Sequence, residues 1–392
     1  MKTGIQYWTW FDYGSPGQGI NGEGWSGLNG VNIFRLSEKT GSLSFTPAGP
    51  HYYSSCFSDT HDCHARHLTD IGIDFLIFDQ NNFTADNHPI AATCDPKHNP
   101  IFQASLKTMD GFWQNTRQIQ FVHMLPLAQG DPDPIYVYPG IGEPYVRWHI
   151  EYLANRNNVH RSKLFHVTDP RDGKSKPLLL FYVHTGVSIC DPRTREPRYF
   201  QGPGSVIPAR WQFQDKEKIT VDHEEVLICD VFTVRFATYA AVAMDYRDCA
   251  DMSHEIWPFD CFDRVRGNDR TQFDEVAYAS CYARSEDGHG RRIEYFRDWL
   301  LHAAGKEHLV IRCWNEFSST DENAYWINEA LRIGVANAFT LEPNNQLHKY
   351  DQDHKEDPWY YFCSVKALLQ ARREHPTDKV AFLRRARELG VR

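Results

Sequence analysis

The chain has 392 residues, 51 acidic and 42 basic side chains, a net charge of −9, and 41% hydrophobic residues. That composition supports a real core and excludes global disorder. The acidic balance excludes a general nucleic-acid binder, which shows a basic face, and no apolar run approaches the roughly 18 residues of a membrane span. Domains run to roughly 100–200 residues, or ~250 and more for an α/β barrel, which leaves two ordinary domains or one large barrel with long loops.

The strand-like runs, in chain order, are Gly4–Phe11, Ile71–Phe78, Gln120–Leu125, Pro177–Val183, Thr233–Thr238, Ile256–Phe259, Val276–Ser280 and Leu309–Trp314. Near-continuous apolar runs of this length suit parallel strands buried on both faces. Between them lie segments with helical spacing: His61–Asp70, Asn99–Arg117, Pro144–Asn155, Arg291–Ala304 and Asn323–Ala338, with a final helix over Pro358–Arg373. In Arg291–Ala304, for example, Ile293, Phe296, Trp299, Leu300 and Ala303 share one face. Eight strand-like runs with helical segments between several of them predict a (β/α)8 TIM barrel over residues 1–392, with long βα loops and the final helices of about 358–392 packed on the barrel. The stretch from Phe259 to Val276 is barely long enough for a crossover, so no full helix is predicted there.

Several patterns are tempting and are set aside. Gly17-Gln18-Gly19-Ile20-Asn21-Gly22 has the glycine spacing of a dinucleotide loop, but Glu23-Gly24-Trp25-Ser26-Gly27 is a poor helix start, so no nucleotide cofactor is expected. His61, His64 and His67 share a helix face beside Asp59, Asp62 and Cys63, but there is no H-e-x-x-H arrangement and the helix precedes a strand, so no metal is expected there. The ten cysteines show no C-x-x-C, and Cys229, Cys281 and Cys313 lie in apolar runs as buried thiols do; a disulfide among Cys56, Cys63 and Cys94 stays open. Met1-Lys2-Thr3 leads straight into a strand-like run, so no signal peptide is expected in the chain as written; the reading is a cytoplasmic protein, or an exported one if a leader was removed.

Chemistry in a barrel gathers just past the C-terminal ends of its strands. Asp79 closes the second run, His184 follows the fourth, Arg235 lies within the fifth, and Glu255 and Asp260 flank the sixth. Trp314-Asn315-Glu316 ends the eighth, supplying a ring face, an amide for hydroxyls and an acid. Aromatic residues make up 14% of the chain, and Tyr7, Trp10, Trp257 and Trp314 lie on or beside strands, where a pyranose could stack. Tyr7 lies opposite Trp8 and Trp10 on the first strand, and either set could face inward. The seventh run ends Ser280-Cys281-Tyr282-Ala283-Arg284 with no carboxylate, which argues against the many glycosidases that place acids after strands four and seven.

With those residues set out, the chain resembles glycoside hydrolase families 71 and 99. The likeness rests on His67-Leu68-Thr69-Asp70-Ile71-Gly72-Ile73-Asp74-Phe75, a helix followed by G-I-D and an apolar strand, and on Trp314-Asn315-Glu316 with Glu342-Pro343 downstream. The resemblance implies a (β/α)8 enzyme of the group that includes endo-acting α-mannanases and α-1,3-glucanases, with Glu316 as the first motif acid. The family-99 pattern has a second Glu three residues later; here that position is Ser319, so a distinct, related family is implied.

The expectation is therefore a glycoside hydrolase acting on a poly- or oligosaccharide, with Glu316 paired to Asp260, Glu255 or Asp79 across the scissile bond. Tyr7, Trp10, His184, Arg235, Trp257, Trp314 and Asn315 are expected to bind the sugar, and the His and Arg among them would suit an anionic or sulfated glycan. No cofactor, nucleic acid or membrane partner is expected, and the sequence is silent on oligomeric state. The competing readings are a non-catalytic carbohydrate-binding barrel and a metal-dependent hydrolase using the histidines.

Overall fold

The computed structural model describes residues 1–7, 58–80, 100–128, 144–183, 188–190, 197–199, 218–239, 256–260, 275–280, 292–312 and 358–391. In chain order the strands and helices are β1 (Lys2–Tyr7), α1 (Ser58–Ile71), β2 (Phe75–Asp79), α2 (Pro100–Asn115), β3 (Gln120–Ala128), α3 (Pro144–Ala154), β4 (His166–Thr168) and β5 (Ser175–Val183). There follow β6 (Ser188–Cys190), β7 (Pro197–Tyr199), β8 (Lys218–Val221), β9 (Glu224–Leu227), α4 (Ile228–Val231), β10 (Thr233–Tyr239) and β11 (Ile256–Asp260). The chain continues through β12 (Val276–Ser280), α5 (Arg292–His302), β13 (His308–Arg312), α6 (Pro358–Glu374) and α7 (Lys379–Glu388). The protein is mixed α/β, and its larger strands pair in parallel. The expected helix Asn323–Ala338 lies outside the described residues.

The chain divides into two compact units, each discontinuous in sequence. The first comprises Met1–Leu76, Ala104–Ile119 and Ala277–Arg392; the second comprises Ile77–Gln103 and Gln120–Val276.

In the first unit β1 pairs in parallel with β13, Gly4 standing opposite Val310. Every residue of β1 after Lys2 is buried, as a parallel strand covered on both faces requires. Helix α1 buries His61, His64, Ala65, Leu68 and Ile71, a stripe at helical spacing. It stops at Gly72, whose φ of +91° is a conformation few side chains tolerate. The Gly72 and Ile73 amides then close onto the Leu68 carbonyl at 3.1 and 2.8 Å. This corrects the expected strand Ile71–Phe78: the helix persists through Ile71, and the strand begins only at Phe75. Asp74, between the two, accepts from the Thr3 amide at 2.8 Å and pairs with Lys2 at 2.9 Å. From α6, Arg373 donates to the Gly72 carbonyl, which ties the C-terminal region to this turn. Helix α5 buries Phe296, Trp299 and Leu300, and Ala303 just past its end is buried too, the face expected from spacing.

Gly4 marks a close approach inside this unit: a Cβ there would overlap the ring of Phe75, which has no exposed surface. Gly4→Ala is therefore expected to destabilise the protein by about 1–3 kcal/mol, the usual range for an overpacked core. Urea unfolding checks this, and an unchanged midpoint would contradict the packing.

In the second unit the strand order is β11, β10, β5, β3 and then β2, with β4 hydrogen-bonded to β5. The pairs β3–β5, β5–β10 and β10–β11 are parallel, and Leu180 stands opposite both Met124 and Arg235. On the other side of β3, Phe78 stacks on Phe121 while the Gln80 amide donates to the Met124 carbonyl at 2.9 Å. Residue numbers rise together on the two strands, so β2 runs parallel to β3. The core is Phe78, Phe102, Phe121, Val122, Met124, Leu125 and the run Leu178–Phe181, each no more than 1% exposed.

The short antiparallel hairpins are the elements that apolar runs did not reveal. β8 and β9 join through Asp222 and His223, whose φ values of 50° and 74° fit the mirror-image turn that two-residue hairpins favour. β4 folds back on β5, and beneath it Lys176 is buried against Asp169 at 3.0 Å, Asp172 at 2.8 Å and the Cys229 carbonyl at 2.7 Å.

Candidate functional site

A second buried charge group in the second unit is built around Glu275. Arg235, third residue of β10, has only 4% of its side chain exposed, so its guanidinium requires an anion. Glu275, immediately before β12, supplies it: Nε of Arg235 donates to Oε2 at 2.6 Å and Nη2 donates to Oε1 at 3.2 Å. Trp257, second residue of β11 and 1% exposed, donates its indole N–H to the same Oε2 at 3.0 Å. Glu275 thus accepts three bonds from two strands, in the two-pronged geometry that makes Arg–carboxylate pairs strong.

This group stands on the entry side of the strands. Arg235 and Trp257 lie near the beginnings of β10 and β11, and Glu275 precedes the beginning of β12. Ligands of parallel α/β sheets bind outside the carboxyl ends of the strands. At 3.3 Å per residue, Trp257 lies about 10 Å along β11 from its last residue, Asp260. The sugar-binding roles expected of Arg235 and Trp257 therefore meet a structural obstacle: both side chains are already engaged by Glu275, on the side away from the strand exits. Glu275 itself was missed. The signal for it was the arginine inside the apolar run Thr233–Thr238, which required a buried acid somewhere nearby.

The strand exits carry the expected acids. Asp79 is the last residue of β2 and Asp260 the last of β11. With β2, β3, β5, β10 and β11 all parallel, both positions fall at the same end of the second unit's strands. β5 ends at Val183, one residue before His184. Trp10, His184, Glu255, Trp314, Asn315 and Glu316 lie outside the described residues.

In the first unit Tyr7 closes β1, 8% exposed. Its hydroxyl lies 2.7 Å from His64 Nδ1 on α1, and its ring meets Phe112 of α2 edge-on at 5.8 Å. Tyr7 thus packs against α1 and α2, with its hydroxyl engaged by His64. The same packing accounts for the histidine-rich segment: His64 serves Tyr7, and His61 Nε2 lies 3.4 Å from Thr108 Oγ1. Among the described residues no group of three or more His, Cys, Asp or Glu side chains could hold a metal ion. No helix among them is long and apolar enough to cross a membrane.

No family model matches the chain, and no curated protein matches it. Among solved structures the chain is similar to the GH99 endo-α-mannosidase from Bacteroides thetaiotaomicron in complex with BIS-TRIS-propane, at 12% identity and a TM-score of 0.40, over 79% of this chain and 82% of that one. A second structure of the GH99 endo-α-mannosidase from Bacteroides thetaiotaomicron is similar at 14% identity and a TM-score of 0.35, over 79% and 83% of the two chains.

Proposed function

We propose that the chain is a glycoside hydrolase that cleaves a poly- or oligosaccharide, an anionic or sulfated glycan included, using two carboxyl groups on a single (β/α)8 barrel spanning residues 1–392. Glu316 is one of the pair, and Asp260, Glu255 or Asp79 is the other. The observation that carries this reading is the register of the second unit, in which Asp79 and Asp260 each close a strand at the same end of one parallel set. The sequence Trp314-Asn315-Glu316 follows directly on β13, which ends at Arg312.

The chemistry needs one carboxyl group protonated, to donate to the leaving oxygen. The other is ionised, to attack the anomeric carbon or to activate water. Separation of the two groups sets the outcome: near ~5 Å the configuration is retained, and at ~6.5–9.5 Å it is inverted. Trp10, Trp314, His184 and Asn315 remain the candidates for holding the sugar. The test is to make Glu316→Gln and Asp260→Asn separately and to assay reducing-end release on a polysaccharide panel that includes α-mannan and α-1,3-glucan. Full activity in both variants would overturn the assignment.

A further inference from the structure

Arg372, in the last turn of α6, has no exposed surface. Its guanidinium lies over the ring of Phe382 on α7, 4.1 Å from the centroid. Nη1 donates to the Pro376 carbonyl at 3.1 Å. Nε and Nη2 have no hydrogen-bond partner among the described residues. Those two donors form the fork that grips a carboxylate side-on, and in Arg235 the same fork is filled by Glu275. No described acid fills it in Arg372. Asp378 acts on the guanidinium from the turn between the helices, but its Oδ1 accepts from the Val380 and Ala381 amides, both at 2.9 Å.

Burial pulls the Arg372 guanidinium down to about 10, so it stays charged at neutral pH. A ring face recovers less of the lost hydration than a carboxylate would. The closed position of α7 therefore keeps a poorly partnered charge out of water, and lifting α7 lets water reach Nε and Nη2. Little opposes that. Helix α7 buries Ala381, Phe382 and Ala386, one large side chain among three. Its ion pairs, Arg385 with Glu374 on α6 and with Glu388 on α7 itself, are partly exposed and so hold weakly. Helix α6, by contrast, is anchored to other elements, by Lys366 on Asp70 of α1 at 2.6 Å and by Arg373 on the Gly72 carbonyl. Asp378 caps α7 from its own turn, so the helix keeps its cap when it leaves.

We propose that α7 is a hinged cover on the first unit: it lifts from α6 as an intact helix, ahead of any wider unfolding, because the buried fork of Arg372 has no acid to fill it. The pivot is the turn from Pro376 to Asp378. The Pro376 carbonyl also accepts from the Gly305 amide at 2.8 Å, which keeps the start of the turn fixed to the end of α5 while the helix beyond it moves. The open form exposes Arg372 and the Phe382 ring together.

Hydrogen–deuterium exchange on the full chain, corrected for intrinsic rates, tests the cover. Peptides over residues 379–389 are expected to exchange roughly 10-fold or more faster than peptides over residues 62–71 and 294–302. Arg372→Met removes the buried charge and leaves no orphaned carbonyl, since Pro376 keeps the Gly305 amide. It is expected to slow exchange over residues 379–389 by roughly 10-fold and to leave residues 62–71 unchanged. If Arg372→Met does not fold, the native chain decides. Exchange over residues 379–389 should then be insensitive to low urea, as an opening that exposes little surface is, while residues 62–71 exchange faster as urea rises. Three results would overturn the proposal: equal protection of the two regions in the native chain, equal acceleration of both by urea, or exchange over residues 379–389 that is unchanged or faster in a folded Arg372→Met. The last would show that the guanidinium holds α7 down through the Phe382 ring.

Discussion

Glu275→Ala is expected to destabilise the second unit by about 3–5 kcal/mol, because it strips the only described anion from Arg235 while leaving that guanidinium buried. Most of the cost is the uncompensated charge rather than the lost attraction, since a side chain 4% exposed has little water to turn to. Trp257 adds a smaller term, as its buried indole N–H also loses its acceptor. The double substitution Arg235→Met with Glu275→Leu is expected to cost much less than Glu275→Ala alone, because replacing a buried ion pair by apolar groups of similar size is often close to neutral. Urea unfolding of the three proteins at one pH checks the order. The experiment also separates two roles for Arg235. A structural role predicts lost stability in Glu275→Ala with KM on a glycan unchanged in the folded fraction. A substrate-binding role predicts the reverse, and that pattern would contradict the geometry described here.

Glu316→Gln is expected to lower kcat by roughly 10²- to 10⁴-fold, the usual contribution of a positioned acid or base, with the unfolding midpoint unchanged. The amide keeps the shape of the carboxyl group and removes its charge, its nucleophilic oxygen and its proton chemistry. An effect made in the transition state lowers kcat and kcat/KM together and leaves ground-state binding in place. Asp260→Asn is expected to do the same if Asp260 is the partner. If it is not, the loss moves to Asp79→Asn or Glu255→Gln. A rise in KM with kcat unchanged in Glu316→Gln would reassign Glu316 to sugar binding. Parallel kcat and KM measurements on a released substrate, with an unfolding curve for each variant, check both statements.

The sequence was most legible where burial on both faces left an apolar run. Pro177–Val183 lies inside β5, Val276–Ser280 is β12, and Pro358–Arg373 is α6 less one residue. It was misleading where an apolar stretch spanned a change of element. Ile71 and Ile73 read as strand, yet Gly72 ends a helix between them, because a positive φ outweighs the pull of two β-branched neighbours. Hairpins such as Lys218–Leu227 were invisible, since their strands are short, half-polar and set by two turn residues with positive φ. Tyr7 and Trp257 were read as cleft aromatics because rings near strands suit both a core and a sugar; only packing against α1 and α2, or a shared acid, tells the two apart. Glu275 was illegible for a related reason: its partner lies 40 positions away in sequence. By contrast, the placement of Asp79 and Asp260 could be read directly, because a carboxylate that ends an apolar run also ends the strand.

The measurement that bears most directly on the proposed activity is a time course of reducing-end release from a glycan panel by the full chain, run beside equilibrium binding to the same glycans. The account predicts new reducing ends from at least one glycan that binds, and their disappearance with Glu316→Gln while binding persists. Binding without release from any glycan would contradict it and identify the chain as a carbohydrate-binding protein.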